Sequence, residues 1–252
     1  MPRTLTLVVL SDAPDDDMRG TIDAIAGTVD GSGVPYQVIF AANGRTLDPA
    51  LSERLPFTAT VISSAARIPP GALINGILPH AKGDVVTFLP AGYRPEPWWT
   101  AGVFELLSLE NIGAVVPRIV DLSGERIAGT GVIAEDGVLA ARLTGLGRDT
   151  IPALQPLSLF FALLGGISVR REVFDEVGAF DEGFERTLFD LDWTLRARLK
   201  ARALMYRPDV TMRADRPIDL GPRRHSRADA QRFLGSWQAT IGNALVPERF
   251  VP

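Results

Sequence analysis

Two aspartates, Asp190 and Asp192, stand where an acidic loop runs into an apolar-striped helix. A carboxylate in that place has two uses. It satisfies the unpaired N–H groups and the positive dipole end of the helix, or it projects into a cleft and takes a proton as a general base. A second run, Asp12 and Asp15-Asp16-Asp17, follows the first apolar segment. Three or four close carboxylates suit calcium or magnesium, but their commoner use is to charge the first turn of a helix. The chain has no cysteine, which excludes disulfides, zinc–thiolate sites and thiol nucleophiles. Its two histidines, His80 and His225, form no metal-ligand spacing. Lys82 and Lys200 are the only lysines, so arginine supplies the other 24 of the 26 basic residues. Guanidinium forks suit phosphate, yet a net charge of −4 argues against a nucleic-acid partner.

The elements that must position these residues follow from pattern. At 252 residues the chain is long enough to bury the core of one large α/β domain. Thr4 to Ser11 is a nearly continuous, β-branched apolar run, as a central parallel strand requires. A helix from about Asp15 to Gly27 follows, with Ile22, Ile25 and Ala26 inward. Strands are expected at Tyr36 to Ala41, Thr58 to Ser63 and Asp84 to Leu89, with a helix near Pro70 to Ala81 between the last two. This alternation predicts βαβ units and a mostly parallel sheet flanked by helices. Ligands on such sheets bind beyond the carboxyl ends of the strands. Further on, a helix near Pro97 to Leu109 precedes a strand at Gly113 to Val120, and Gly129 to Thr150 is a glycine-rich excursion with short strands around Val132 and Val138. A short helix at Arg171 to Val177 stops at Gly178. The next helix carries Leu191, Leu195 and Leu199 as one stripe, and a strand spans Ala203 to Arg213. Residues 216–252 hold a Pro- and Arg-rich linker and a helix near Ser226 to Leu245. Its Phe233, Trp237 and Ile241 face packs on the domain or on another subunit. No apolar run is long enough to span a membrane.

The ordered series Arg170 to Phe184 (RREVFDEVGAFDEGF), then Asp190-Leu191-Asp192 with Arg196, then Tyr206 to Val210 (YRPDV), resembles glycosyltransferase family 2. The resemblance extends over about residues 4 to 215 and implies a GT-A domain in residues 1–215. It implies sugar transfer, with inversion, from a nucleoside-diphosphate donor to a hydroxyl acceptor, either a sugar or a lipid-linked molecule, with Asp190 as the base. Family members hold a divalent metal on an Asp-x-Asp segment after the fourth strand, aided by a late histidine. Here the matching positions are Phe88-Leu89-Pro90-Ala91-Gly92 and Arg213-Ala214, so the resemblance implies no usual metal site. The donor contacts it implies are Asp12, Asn43, Gly44, Arg67 and Asn75, with Arg213, Arg94 or Arg67 neutralising the diphosphate. Each also has a plain reading: Asn43-Gly44 as a turn pair, Arg67 as a solvated loop arginine, Asn75 as a helix-surface amide.

Two functional classes stay open on the sequence. One is an active, metal-independent transferase; the other is a degenerate GT-A domain that serves as a binding partner or scaffold for an active enzyme. A nucleotidyltransferase on a similar sheet fits less well, for want of a glycine-rich phosphate loop with a lysine. The cysteine-free composition fits a reducing cytoplasm, and a lipid-linked acceptor would place the protein at the inner membrane face. A homodimer or a pairing with another glycosyltransferase would give the C-terminal helix its second surface.

Overall fold

The computed structural model describes residues 4–11, 18–29, 32–47, 55–135, 138–216 and 226–241. Strand β1 (Leu5–Ser11) is the centre of the sheet. Parallel partners flank it on both edges, β2 (Tyr36–Asn43) and β4 (Val85–Pro90), and β3 (Ala59–Ser64) extends the sheet beyond β2. Both faces are covered, which is why β1 is apolar at nearly every position. Leu5, Leu7 and Val9 pack with Ile25 and Val29 of α1 (Met18–Val29) and with Trp99 and Val103 of α3 (Trp99–Leu106). Val8 packs on the other face with Ile74 and Ile77 of α2 (Pro70–Ile77). The expected helix to Ala81 gives way after Ile77 to a 3₁₀ turn, Leu78–His80. Pro79 has no N–H to continue the α-helical ladder.

Among the described residues the sheet has ten strands, eight of them along the path β10 (Leu157–Leu159), β12 (Ala203–Arg213), β6 (Ile112–Val120), β11 (Ser168–Arg170), β4, β1, β2, β3 and two off it. Strand β11 (Ser168–Arg170) runs antiparallel to both β4 and β6 (Ile112–Val120). It follows that β6 and β4 point the same way. The long β12 (Ala203–Arg213) is parallel to β6, so it ends on the same rim. Three short strands, β5 (Arg94–Pro95), β7 (Ile127–Gly129) and β10 (Leu157–Leu159), add antiparallel edges. The parallel character expected from the sequence thus holds for β3-β2-β1-β4 and for β6 with β12, and β11 interrupts it. The glycine-rich excursion forms a separate hairpin, β8 (Val132–Glu135) with β9 (Val138–Ala141), followed by the single turn α4 (Ile151–Leu154).

The three last helices build the wall beside β11. In α5 (Arg171–Val177) Val173 and Phe174 are buried, and Gly178 ends the helix at φ 86°. Helix α6 (Phe189–Leu199) stacks Trp193 on both Phe174 and Phe180, with ring centroids 4.8 and 5.1 Å away. Its leucine stripe is shorter than expected. Leu191 and Leu195 are buried but Leu199 is 67% exposed. At 3.6 residues per turn, a step of four over-rotates by about 40°, so the third leucine has left the face. Helix α7 (Arg227–Ile241) lays Phe233, Leu234 and Trp237 on Leu188, Leu191 and Leu195. The side chain of Ile241 lies outside the described residues. No helix among the described residues is long and apolar enough to cross a membrane.

Candidate active site

Asp190 lies in the first turn of α6, but it does not cap the helix. The cap position belongs to Leu188, which takes a left-handed backbone at φ 67°, and no side chain bonds there. Left-handed backbone costs a branched residue on the order of 1 kcal/mol, so packing must hold this turn. The turn sets the Asp190 carboxylate between the first turn of its own helix and the loop before β11. There one oxygen accepts the Leu164 N–H at 3.1 Å, while the other accepts the Leu191 N–H at 3.0 Å. Only 9% of the residue is exposed. Burial pushes the carboxyl up to about 6, against the lowering effect of those N–H groups. Desolvation dominates because no cation compensates it. Asp190 is therefore a buried acid that ionises near neutrality.

Asp192 has a different task. Its carboxylate accepts from Arg196 Nε at 3.0 Å and from Trp237 Nε1 at 2.8 Å. Arg196 in turn donates to the carbonyls of Val177 and Ala179. The residue joins α5, α6 and α7. The loop before α6 is used just as fully. Phe180 enters the aromatic core, Asp181 pairs with Arg232 through two 2.7 Å bonds, and Phe184 lies under the Arg232 guanidinium.

Of the donor contacts expected from the sequence, Asn43, Gly44 and Arg67 come together at the carboxyl end of β2. Asn43 is buried and both ends of its amide are engaged: it donates to the Ile68 carbonyl at 2.8 Å and accepts the Ile68 N–H at 2.9 Å. This clamp brings the Arg67 backbone beside Gly44, where a Cβ would touch Arg67 Cβ at 3.4 Å. Arg67 and Gly44 are thus exposed neighbours on the rim. Asn75 makes the same double clamp farther away, on the carbonyl and N–H of Phe180, and also donates to Glu182. It fixes α2 to the loop before α6. Asp12 and the acidic run to Asp17 lie outside the described residues.

The end of β4 is where a metal would be held in an Asp-x-Asp protein. Here Pro90-Ala91-Gly92 turns tightly, with Gly92 at φ 94° and its N–H on Thr21 Oγ1. A side chain at Gly92 would have to displace the carboxylate of Asp215, which lies where its Cβ would sit. Asp215 follows β12 and reaches this position from the opposite half of the rim. Sequence reading overlooked it. Its place two residues beyond Arg213, at the end of a strand, was the available signal. One carboxylate does not make a metal site, and no group of three or more potential ligands exists among the described residues. The described donors do not fit a divalent ion. Beside this turn, Gly166, at φ 84°, lets the Leu164–Ile167 loop pass close to Pro117. Its N–H bonds the Phe88 carbonyl at 2.7 Å, which fixes the same loop whose Leu164 meets Asp190.

Arg213 is committed to a carboxylate. It donates to Glu96 at 3.0 Å and to the Leu122 carbonyl, and Arg148 binds Glu96 at 3.0 and 3.2 Å. Burial alone would raise Glu96, but these two guanidinium groups outweigh it and hold the carboxyl below its ordinary range. Arg118, buried nearby, donates to Thr211 Oγ1 and to the Arg148 carbonyl. The second half of the rim therefore gathers three guanidinium groups near one glutamate.

With this geometry in hand, comparison with solved structures identifies the architecture. GalNAc-T7, in a crystal with UDP, GalNAc and Mn²⁺, superposes with a TM-score of 0.64 over 93% of this chain at 15% identity. The fold is that of the GT-A glycosyltransferases. A mannosyltransferase from Pyrobaculum calidifontis, bound to GDP-Man and Mn²⁺, matches with a TM-score of 0.59 over 95% of the chain at 16% identity. S. aureus TarS matches with 0.58 over 84% at 13% identity. The chain spans 50%, 64% and 36% of those three proteins respectively. No protein-family profile matches the sequence, and no curated protein matches it either.

Proposed function

We propose that this chain is a glycosyltransferase of the family 2 type, moving a sugar from a nucleoside-diphosphate donor to a hydroxyl acceptor with inversion. The observation that carries this reading is Asp190: a carboxylate on the carboxyl-end rim of a GT-A sheet, buried, held by two N–H groups and ionising near 6. A base works best when its pKa lies near the working pH. The acceptor hydroxyl gives its proton to Asp190, its oxygen forms a bond to the anomeric carbon, and the bond from that carbon to the diphosphate breaks on the opposite face. Donor phosphates are met by exposed arginine at the end of β2, where Arg67 stands beside Gly44. The acceptor is a sugar or a lipid-linked molecule.

The second reading, a degenerate domain that binds without turnover, is favoured by one set of facts. The amides of Asn43 and Asn75 and the guanidinium of Arg213 are already occupied within the protein. A thermal-shift screen of UDP-, GDP- and dTDP-sugars, followed by a donor-hydrolysis assay, separates the two. Binding with turnover that Asp190→Asn abolishes supports the transferase. Binding without turnover supports the scaffold.

A further inference from the structure

Asp229 lies in the first turn of α7 and is fully buried, at 0% exposure. Its carboxylate accepts three successive backbone N–H groups, from Glu185 at 2.7 Å, Arg186 at 3.1 Å and Thr187 at 3.0 Å, and the Thr187 hydroxyl at 3.3 Å. The next residue is Leu188, whose left-handed backbone turns the chain into α6, and Leu188 itself packs on α7. Two residues later comes Asp190. A buried carboxylate needs several donors to be tolerated, and here every donor belongs to the one turn that aims the proposed base. The helix that supplies it packs on Leu188, Leu191 and Leu195, outside the sheet.

We infer that Asp229 is a positioning residue for Asp190: by gripping residues 185–187 it holds the strained turn at Leu188 and keeps the Asp190 carboxylate seated on the Leu164 N–H. This rests on the reading of Asp190 as the base only for its catalytic consequence. The geometric consequence stands by itself, since loosening the turn admits water to Asp190. No charged side chain contributes to the perturbation of Asp190. The ionisable groups on the elements around it include Asp192, bound to Arg196 and Trp237; the Asp181–Arg232 pair; Glu182, Glu185 and Arg186 in the loop before α6; Arg198; Asp229 itself; and Tyr93, near Gly165, whose phenol burial pushes up to about 12 and keeps neutral.

The test is a ¹³C-carboxyl NMR titration of Asp190 in the full chain, assigned by comparison with Asp190→Asn. In Asp229→Asn an amide N–H₂ faces donors that the carboxylate accepted. The Asp190 midpoint should fall by about one unit or more toward the ordinary carboxylate value. Sugar transfer, where the wild type shows it, should fall roughly 10- to 100-fold in kcat, the scale of a misplaced catalytic group, with donor KM nearly unchanged. Thr187→Val removes one donor and keeps the Asp229 charge. It should move the midpoint the same way by less, and it serves if Asp229→Asn does not fold. Arg232→Gln loosens α7 at Asp181 without touching residues 185–187 and should leave the midpoint in place. A folded Asp229→Asn or Thr187→Val with an unshifted midpoint overturns the inference, and so does an equal shift in Arg232→Gln. A wild type without turnover defeats the transferase reading alone, because the titration still reads the turn.

Discussion

Asp190→Asn offers a test in which the pH dependence of stability and the activity report on the same carboxylate separately. In the folded protein, burial raises the Asp190 carboxyl from 3.8 to about 6. A rise of roughly two units, at about 1.36 kcal/mol each, amounts to about 3 kcal/mol. The sign follows from linkage. A group whose folded pKa exceeds its unfolded one leaves stability intact below the unfolded value and erodes it as pH rises through the folded value. Asp190 is thus harmless near pH 4 and costs up to about 3 kcal/mol by pH 8. Asparagine carries no charge, but its N–H₂ meets one of the two backbone N–H groups that the carboxylate accepts, a loss of about 1–3 kcal/mol that does not depend on pH. Urea melts should therefore show the stability of Asp190→Asn, relative to the wild type, rising by up to about 3 kcal/mol from pH 4 to pH 8. Transfer should fall by roughly two to four orders of magnitude, the usual worth of a general base. The wild-type kcat/KM should also lose activity on the acid side with a midpoint near 6. A pH-independent stability difference would refute the buried, raised carboxylate. An active Asp190→Asn would refute its role as base.

Three other outcomes follow from the geometry. Nucleotide-sugar affinity should be unchanged by chelator, because Leu89-Pro90-Ala91 carries no carboxylate and Arg213-Ala214 no histidine; a calorimetric titration showing a large Mn²⁺-dependent gain for UDP would contradict this. Phe233→Ala should destabilise the protein by about 3–5 kcal/mol, the cost of emptying a fully buried phenyl site, read as a lowered urea midpoint; a change below about 1 kcal/mol would mean that α7 does not dock as described. Gly92→Ala should displace Asp215 and strain a backbone at φ 94°, with a loss of at least about 1–2 kcal/mol; wild-type stability would show the turn to be adaptable.

The sequence was most legible where a local pattern sufficed. Helix α5 and strand β12 have the ends read from the sequence, Arg171–Val177 and Ala203–Arg213, because glycine, proline and a switch of period mark them. The position of Asp190 at a helix start was equally plain. Its departure from the cap was not, since that depends on a left-handed leucine that no composition rule anticipates. Asn43 and Asn75 read as donor contacts because they match the family's motifs. Their amides also bond backbone groups 25 and 105 residues away, and one-dimensional patterns carry no information on such pairs. Asp215 and Asp229 were missed for the same reason: what each carboxylate meets is decided by the tertiary fold.

Strand β11 has a consequence for how the chain is made. It is three residues long, yet it alone joins the parallel block β1–β4 to the second half of the sheet. Its contact with β4 pairs Ser168 with Thr87, a buried hydroxyl pair 81 residues apart at 2.7 Å. During synthesis at about 5–20 residues per second, β4 therefore emerges on the order of 10 s before the strand that covers it. For that interval Val85, Val86 and Phe88 form an open, apolar edge of the kind that recruits other chains. An unpaired edge of that kind invites association with other chains, and a ribosome stalled before residue 168 would prolong the exposure.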